Sequence, residues 1–287
     1  QLIVFVGAVG IAVRTIAPYI KNKLVDPAVL SVDEGGNFVI PLLSGHIGGA
    51  NGFAKVLAKV IKATPVVTTA TDVNKLFAVD EWAARNNMII NSMKAAKDFA
   101  AALVDGQEVG LFTDYPIISA LPRQIVLKDK GVTGLAITKN RNVNPFDLTV
   151  QLWPRNIYLG IGCRRGTTLE SIETLVLPKL KELGIDLRTI VGVASVDLKK
   201  DEAGLLNFAA KYNWEISFFT AEELQNAAGE FSSSDFVKSV VGVSNVCERS
   251  AVLAANNGSI ISSKCSLNGV TLAVAEADIV LDFEKLS

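Results

Sequence analysis

Apolar positions along this chain follow two rhythms that trade places repeatedly from one end to the other. Short runs rich in Val, Ile and Leu occur at residues 2–6, 29–32, 38–42, 65–69, 109–113, 125–127, 132–138 and 148–153, and each reads as a strand. Between two of them, residues 50–63 place Phe53, Val56, Leu57, Val60 and Ile61 at i, i+3, i+4, i+7 and i+8. Lys55, Lys59 and Lys62 fall off that stripe, so the spacing predicts an amphipathic helix with the large apolar residues inward. An earlier helix, after a 7–10 turn, carries Val13, Ile16, Ala17 and Ile20. Further helices are expected near 75–86, 92–104, 168–183, 202–212, 222–227 and 235–255. Further strands are expected at 157–161, 189–194, 215–219, 259–263 and 270–275.

Strands alternating with helices of this length predict an α/β fold: two or three small α/β domains with mostly parallel sheets covered by helices. Polar or proline-bearing breaks at Thr71-Asp72-Val73-Asn74 and Trp153-Pro154-Arg155-Asn156 divide the chain into residues 1–72, 73–153 and 154–287. Composition agrees with folded domains, since 49% of the 287 residues are hydrophobic and 20% charged. A net charge of −1 supplies no basic field for nucleic acid, so any anion must be held by local clusters. The apolar run of residues 2–13 is too short to cross a bilayer, is closed by Arg14 and lacks a basic leader. The chain opens inside a strand, at Gln1, so a preceding segment is expected. Cys163, Cys247 and Cys265 are too scattered for a zinc site and odd in number, which suits a reduced, cytoplasmic setting.

Two glycine-rich turns carry the candidate chemistry. Ser44-Gly45-His46-Ile47-Gly48-Gly49-Ala50-Asn51 joins a strand to a helix and holds the only histidine of the chain. An imidazole exchanges protons near neutrality, and glycine amides at a helix start stabilise anions. Equally, His46 could be a loop histidine bonded to a nearby carbonyl. The second turn, Gly160-Ile161-Gly162-Cys163-Arg164-Arg165-Gly166-Thr167-Thr168, again leads from strand to helix. Its Gly-x-Gly-x-x-x-Gly spacing departs from a dinucleotide fingerprint, and the nearest acid, Asp186, precedes the next strand instead of following it. Paired arginines at a helix start suit a polycarboxylate; alternatively the turn is a solvated basic cap. Arg14, on an apolar helix, would need a partner such as Asp33, Glu34 or a ligand. Cys163 beside two arginines could have a lowered thiol pKa, but with no second histidine a cysteine nucleophile is disfavoured. Glu202 and Glu248 are the acid candidates, each of a type more often found as a surface or helix-end charge.

Taken together, these segments resemble the cobalt-precorrin-5A hydrolase family, the G proteins of the anaerobic cobalamin (vitamin B12) pathway. The resemblance rests on Gly10-Ile11-Ala12-Val13-Arg14-Thr15-Ile16-Ala17-Pro18, Asp26-Pro27-Ala28-Val29, Val32-Asp33-Glu34, Leu43 through Asn51 and Thr68-Thr69-Ala70-Thr71-Asp72. Later it rests on Gly160 through Thr167, Ala194-Ser195-Val196-Asp197-Leu198-Lys199 and Glu202-Ala203-Gly204-Leu205-Leu206. Two departures stand out. The family normally has a further segment before the first strand seen here, and it tends to read Glu-Pro-Ala where this chain has Glu248-Arg249-Ser250.

The resemblance implies a hydrolase of tetrapyrrole metabolism that opens the δ-lactone of a cobalt-bound precorrin, with loss of acetaldehyde. On that reading His46, Ser44 and Glu202 are the catalytic candidates. Arg14, Gly45, Gly48, Gly49, Asn51, Gly162, Arg164, Arg165 and Thr167 are the substrate-binding candidates. Cobalt arrives with the substrate, and no protein cofactor or metal site is expected. No membrane or nucleic-acid partner is expected either, and a homodimer stays open. A non-catalytic tetrapyrrole carrier and a nucleotide-dependent enzyme remain as alternatives, separable by acetaldehyde release and by nucleotide binding.

Overall fold

A computed structural model describes the chain apart from residues 23–24, 47, 70–75, 230, 232–244 and 285–287. Two compact units emerge: Gln1–Trp153 together with the terminal Leu281–Ser287, and Pro154–Val280. The 71–74 break seen in the sequence lies outside the described residues.

The described residues of unit 1 form two sheets. The first orders β1 (Leu2–Val6), β2 (Ala28–Val32), β3 (Phe38–Leu43) and β4 (Thr64–Pro65) side by side. β1 and β2 are parallel, while β2 and β3 form an antiparallel pair. The Asp33 carboxylate fixes their connection by accepting the Phe38 N–H at 2.6 Å, the bond that chiefly holds its pKa below the ordinary value. Helices α1 (Val9–Ile16) and α2 (Ala50–Ile61) accompany this sheet.

The face that α2 buries matches the predicted stripe only in part, at Leu57, which packs against the core. Ala50, Asn51, Ala54 and Ala58 turn inward, against Ala28, Leu30, Val32 and Val39. Phe53, Val56 and Val60 are 44%, 58% and 73% exposed. Small side chains at i, i+4 and i+8 let the helix axis lie close to the sheet, and shape decides the contact over hydrophobicity. α1 likewise buries only Ala12, so Arg14 is exposed and needs no buried partner. The strand expected at 65–69 is only two residues long here, followed by one more bond to the sheet, from the Val66 N–H to the Val39 carbonyl at 2.9 Å.

The second sheet runs β5 (Met88–Ile90), β9 (Phe146–Pro154), β8 (Gly131–Ile137), β6 (Val109–Thr113) and β7 (Ile125–Leu127). Its β6–β7, β6–β8 and β8–β9 pairings are all parallel. The sequence pattern gave no sign of β5, which is only three residues long. Helices α3 (Val79–Arg85) and α4 (Met93–Val104) precede and follow it, and the Ser92 hydroxyl caps α4 by accepting the Ala95 N–H. α3 starts later than expected, and Lys75 lies outside the described residues.

Unit 2 is one sheet in the order β12 (Glu215–Phe219), β11 (Ile190–Val196), β10 (Ile157–Cys163), β14 (Val270–Glu276), β13 (Ser259–Leu267). The first three strands are parallel, and β14 and β13 pair antiparallel on the far side. β14 shows the period of two: Val270, Leu272 and Val274 join a core with Ile172, Val176 and Phe208. Ala273 and Ala275 face Cys247, Ala251 and Val252. The larger layer belongs to α5 (Leu169–Glu182) and α6 (Ala203–Lys211), and the alanine layer to α8 (Val246–Ala254). A short α7 (Ala221–Gln225) precedes α8, whose expected beginning near residue 235 lies outside the described residues.

Gly160 belongs to this packing. A Cβ there would lie 1.8 Å from the Cys247 carbonyl oxygen of α8, so only glycine lets the helix backbone rest on the strand. Gly162 also sits within β10 and not in the turn, where a Cβ would meet Thr271 Oγ1 at 2.6 Å. Gly160 and Gly162, two of the three glycines of that stretch, are therefore strand-packing residues. Overpacking at such a contact costs about 3 kcal/mol. Gly160→Ala should lower the urea midpoint accordingly, whereas Gly10→Ala, with open space around it, should change stability by less than about 1 kcal/mol. Equal effects of the two substitutions, read by circular dichroism, would refute the packing account.

Candidate functional site

The first turn is built by backbone constraints that leave one side chain for chemistry. Ser44 adopts a left-handed conformation at φ 57°, and Gly49 does so at φ 78° as the residue before α2. The Ser44 hydroxyl is buried and donates to the Asp26 carbonyl at 2.8 Å. A Cβ on Gly48 would come within 2.4 Å of Ser44 Cβ, and one on Gly45 within 2.9 Å of Asn51 Oδ1. Asn51 is buried too, and its amide donates to Thr69 Oγ1 at 3.0 Å. Ser44, a catalytic candidate, and Asn51, a substrate-binding candidate, thus both bond within the loop's own scaffold, and the glycines allow its close approaches.

The helix start also offers fewer free donors than the motif suggested. The Gly49, Ala50 and Asn51 amides already donate to the His46, Ser44 and Gly45 carbonyls. The Gly45 and Gly48 amides meet no acceptor among the described residues.

His46 is the polar side chain this scaffold delivers. Its Nδ1 lies 3.1 Å and 3.3 Å from the two carboxylate oxygens of Asp80, and both side chains are less than one-fifth exposed. Asp80 comes from the first turn of α3, where an acid is favoured by the helix dipole. The sequence reading missed it. Nothing local marks Asp80 among 29 acidic residues, and its partner lies 34 positions away. A carboxylate on Nδ1 orients the ring.

The second turn lies in unit 2, where a buried carboxylate organises it. Glu202 is 7% exposed; it accepts the Gly166 N–H at 2.8 Å and faces Lys199 Nζ at 3.4 Å. Its two oxygens therefore help to hold the fold of the turn. Gly166 is left-handed at φ 76°, the Thr167 hydroxyl donates to the Arg164 carbonyl, and Thr168 caps α5. A Cβ on Gly204 would clash with the Thr167 carbonyl, so α6 abuts the turn directly. Arg164 and Arg165 project outward and are exposed; Arg165 lies 3.7 Å from Asp201. Lys199, from the turn after β11, is the cation that the sequence reading left without a role.

Burial pushes the Cys163 thiol above its ordinary pKa, and the nearby Lys199 only partly offsets this, so the arginines do not activate it. Glu248, at the start of α8, accepts the Lys264 N–H at 2.7 Å and an Asn245 amide bond at 2.8 Å. It anchors an irregular stretch of β13. Arg249, where the family tends to have proline, donates to the Leu224 and Gln225 carbonyls at the end of α7.

Three family descriptions match the chain in succession: cobalamin synthesis G N-terminal over residues 1–72, the cobalamin biosynthesis central region over 77–154, and cobalamin synthesis G C-terminus over 157–275. Cobalt-precorrin-5A hydrolase of Salmonella typhimurium is 36% identical, with the alignment covering 96% of this chain and 82% of that protein. The enzyme of the same name from Priestia megaterium is 31% identical over 95% of this chain and 78% of its own length. A solved structure described as a cobalamin biosynthesis protein G homolog from Sulfolobus solfataricus is 26% identical, covers 96% of this chain and 82% of its own, and superposes with a TM-score of 0.40. The glycine–histidine turn and the glycine–arginine turn each fall inside one of the matched regions, and the chain belongs to the cobalamin synthesis G family.

Proposed function

We infer that this protein is a hydrolase of cobalamin biosynthesis that opens the δ-lactone of cobalt-precorrin-5A, with loss of acetaldehyde, to give cobalt-precorrin-5B. Its relatedness to two hydrolases of that name supports the substrate. The observation that carries the chemistry is the Asp80–His46 pair. Lactone opening requires a base for water and donors for the oxyanion formed at the acyl carbon. With Nδ1–H held by Asp80, His46 Nε2 takes a proton from the attacking water. The same ring returns protons during cleavage of the carbon–carbon bond. The Gly45 and Gly48 amides, which meet no acceptor among the described residues, are donors for that oxyanion.

The substrate is a cobalt-bearing macrocycle fringed with carboxylates. Arg164 and Arg165 are the guanidinium groups for those side chains, presented outward by a turn that Glu202 and Lys199 fix from below. Cobalt belongs to the substrate on this reading, and no resident cofactor enters the chemistry. We place the enzyme in the cytoplasm, acting without nucleic-acid or membrane partners. The nucleotide-dependent alternative loses its main support, because Gly160 is occupied by α8 and does not face a ligand.

His46→Asn should lower turnover about 10²–10⁴-fold, the usual contribution of general acid–base catalysis, with little change in substrate binding. The limb of the pH–rate profile due to histidine titration should vanish with it. Asp80→Asn should reduce kcat by a smaller factor and leave that limb in place. Acetaldehyde release from cobalt-precorrin-5A is the assay; near-normal release by His46→Asn would sink the mechanism, and none from the unaltered enzyme would favour a carrier. Replacing Arg164 and Arg165 together by Gln should leave the melting temperature unchanged and weaken binding. Each lost charge-assisted bond is worth roughly 1.5–3 kcal/mol. Unaltered affinity with reduced stability would make the arginines structural.

A further inference from the structure

The last described residues of the chain return to unit 1 and close on the helix that carries Asp80. The Leu281 amide donates to the Pro116 carbonyl at 2.8 Å, and the Ile118 amide donates to the Leu281 carbonyl at 3.0 Å. These bonds make a one-residue parallel bridge between Ile117 and Leu281. The Phe283 amide then donates to Ser119 Oγ at 2.7 Å. The tail is thus pinned by its backbone to a loop of residues 116–119, next to β6.

Its side chains reach α3. The Phe283 ring stacks on Trp82, with centroids 4.7 Å apart and planes 9° from parallel. Phe77, just before α3, closes the cluster at 5.8 Å from Phe283 and 5.9 Å from Trp82. Trp82 Nε1 donates to the Asp282 carbonyl at 2.9 Å. One indole therefore meets the tail twice, through a face and through a polar edge. Aromatic pairs and indole bonds of this kind restrict both the position and the rotation of the element that bears them.

α3 is only seven residues long, and a helix of that length has little stability of its own. Asp80 sits two residues before Trp82 on it and is one partner of the His46 contact. We propose that the 281–284 tail is a clasp that positions α3, through Phe283 and Trp82, so that Asp80 holds the His46 ring in its working orientation. Phe283 and Trp82 act as positioning residues. The clasp rests on the proposed role of His46 only for its effect on turnover; its effect on the ring is independent of any reaction.

That independence makes the test direct. The chain contains a single histidine, so a long-range 1H–15N spectrum of protein purified without a histidine tag reads His46 alone and needs no substrate. In the unaltered protein the neutral ring should be held as the Nδ1–H tautomer. Phe283→Ala should move the spectrum toward the mixed tautomers of an unrestrained imidazole. A displacement of a catalytic group by about 1 Å can cost up to about 100-fold, so kcat for acetaldehyde release should fall roughly 10- to 100-fold with KM little changed. Phe283→Tyr, which keeps the stacking, should restore both. Should Phe283→Ala fail to fold, Trp82→Phe keeps a ring, loses the bond to Asp282 and should shift the spectrum in the same direction by less. A lower melting temperature with an unchanged His46 spectrum overturns the clasp, since the tail would then only stabilise the unit. A changed spectrum with unchanged turnover upholds the clasp and overturns the catalytic role of His46.

Discussion

The contact between Asp80 and His46 joins two stretches of unit 1 that are otherwise organised by separate sheets. His46 arrives from the turn between β3 and α2, and Asp80 from α3, beside the second sheet. A partly exposed pair of this kind contributes on the order of 1 kcal/mol to stability, so its value is positional. Much of the surrounding turn serves to deliver it. Ser44 and Asn51 are buried in hydrogen bonds, and Gly45, Gly48 and Gly49 permit the approaches and the left-handed backbone. The motif is conformationally expensive, and what it delivers is one imidazole facing one carboxylate.

Unit 2 solves a related problem with the roles reversed. There the carboxylate is the scaffold and the exposed side chains carry the charge available to a ligand. Glu202 is buried, but its oxygens accept a backbone N–H and face a lysine, which is what makes burying a carboxylate tolerable. Lys199 is half of that arrangement, so its charge is largely spent. Arg164 and Arg165 remain exposed, on a turn that cannot easily deform because Gly204 of α6 presses against the Thr167 carbonyl. The half-buried thiol of Cys163 lies nearby, and its pKa is raised for the same reason that Glu202 needs partners: burial penalises an uncompensated charge.

Glycine and alanine have a packing meaning here that a motif search misreads. Gly160 looks like the first glycine of a nucleotide fingerprint, yet it is the seat of a helix backbone. Ala50, Ala54 and Ala58 look like filler between larger apolar residues, yet they are the buried face of α2. In both places a short distance between layers is the constraint, and residue size satisfies it. Periodicity in hydrophobicity alone pointed to Phe53, Val56, Leu57, Val60 and Ile61, of which Leu57 packs against the core and the other four are exposed.

The sequence by itself determined the alternation of strands and helices, the α/β class, the two glycine-rich turns and, through their residues, the family. These are local properties: β-branched runs, helical spacing, and glycines at positions where backbone conformation or close approach demands them. Tertiary structure decided which side chains those turns present. That Ser44, Asn51 and Glu202 engage in internal hydrogen bonds depends on Asp26, Thr69 and Gly166, at separations of 18 to 36 residues. That His46 meets Asp80, and that α3 is held by residues 200 positions further on, is equally invisible in any window of sequence. Spacing along a chain encodes the direction of a side chain within its own element. What that side chain meets is set by the packing of elements, and a single sequence carries no record of that distance.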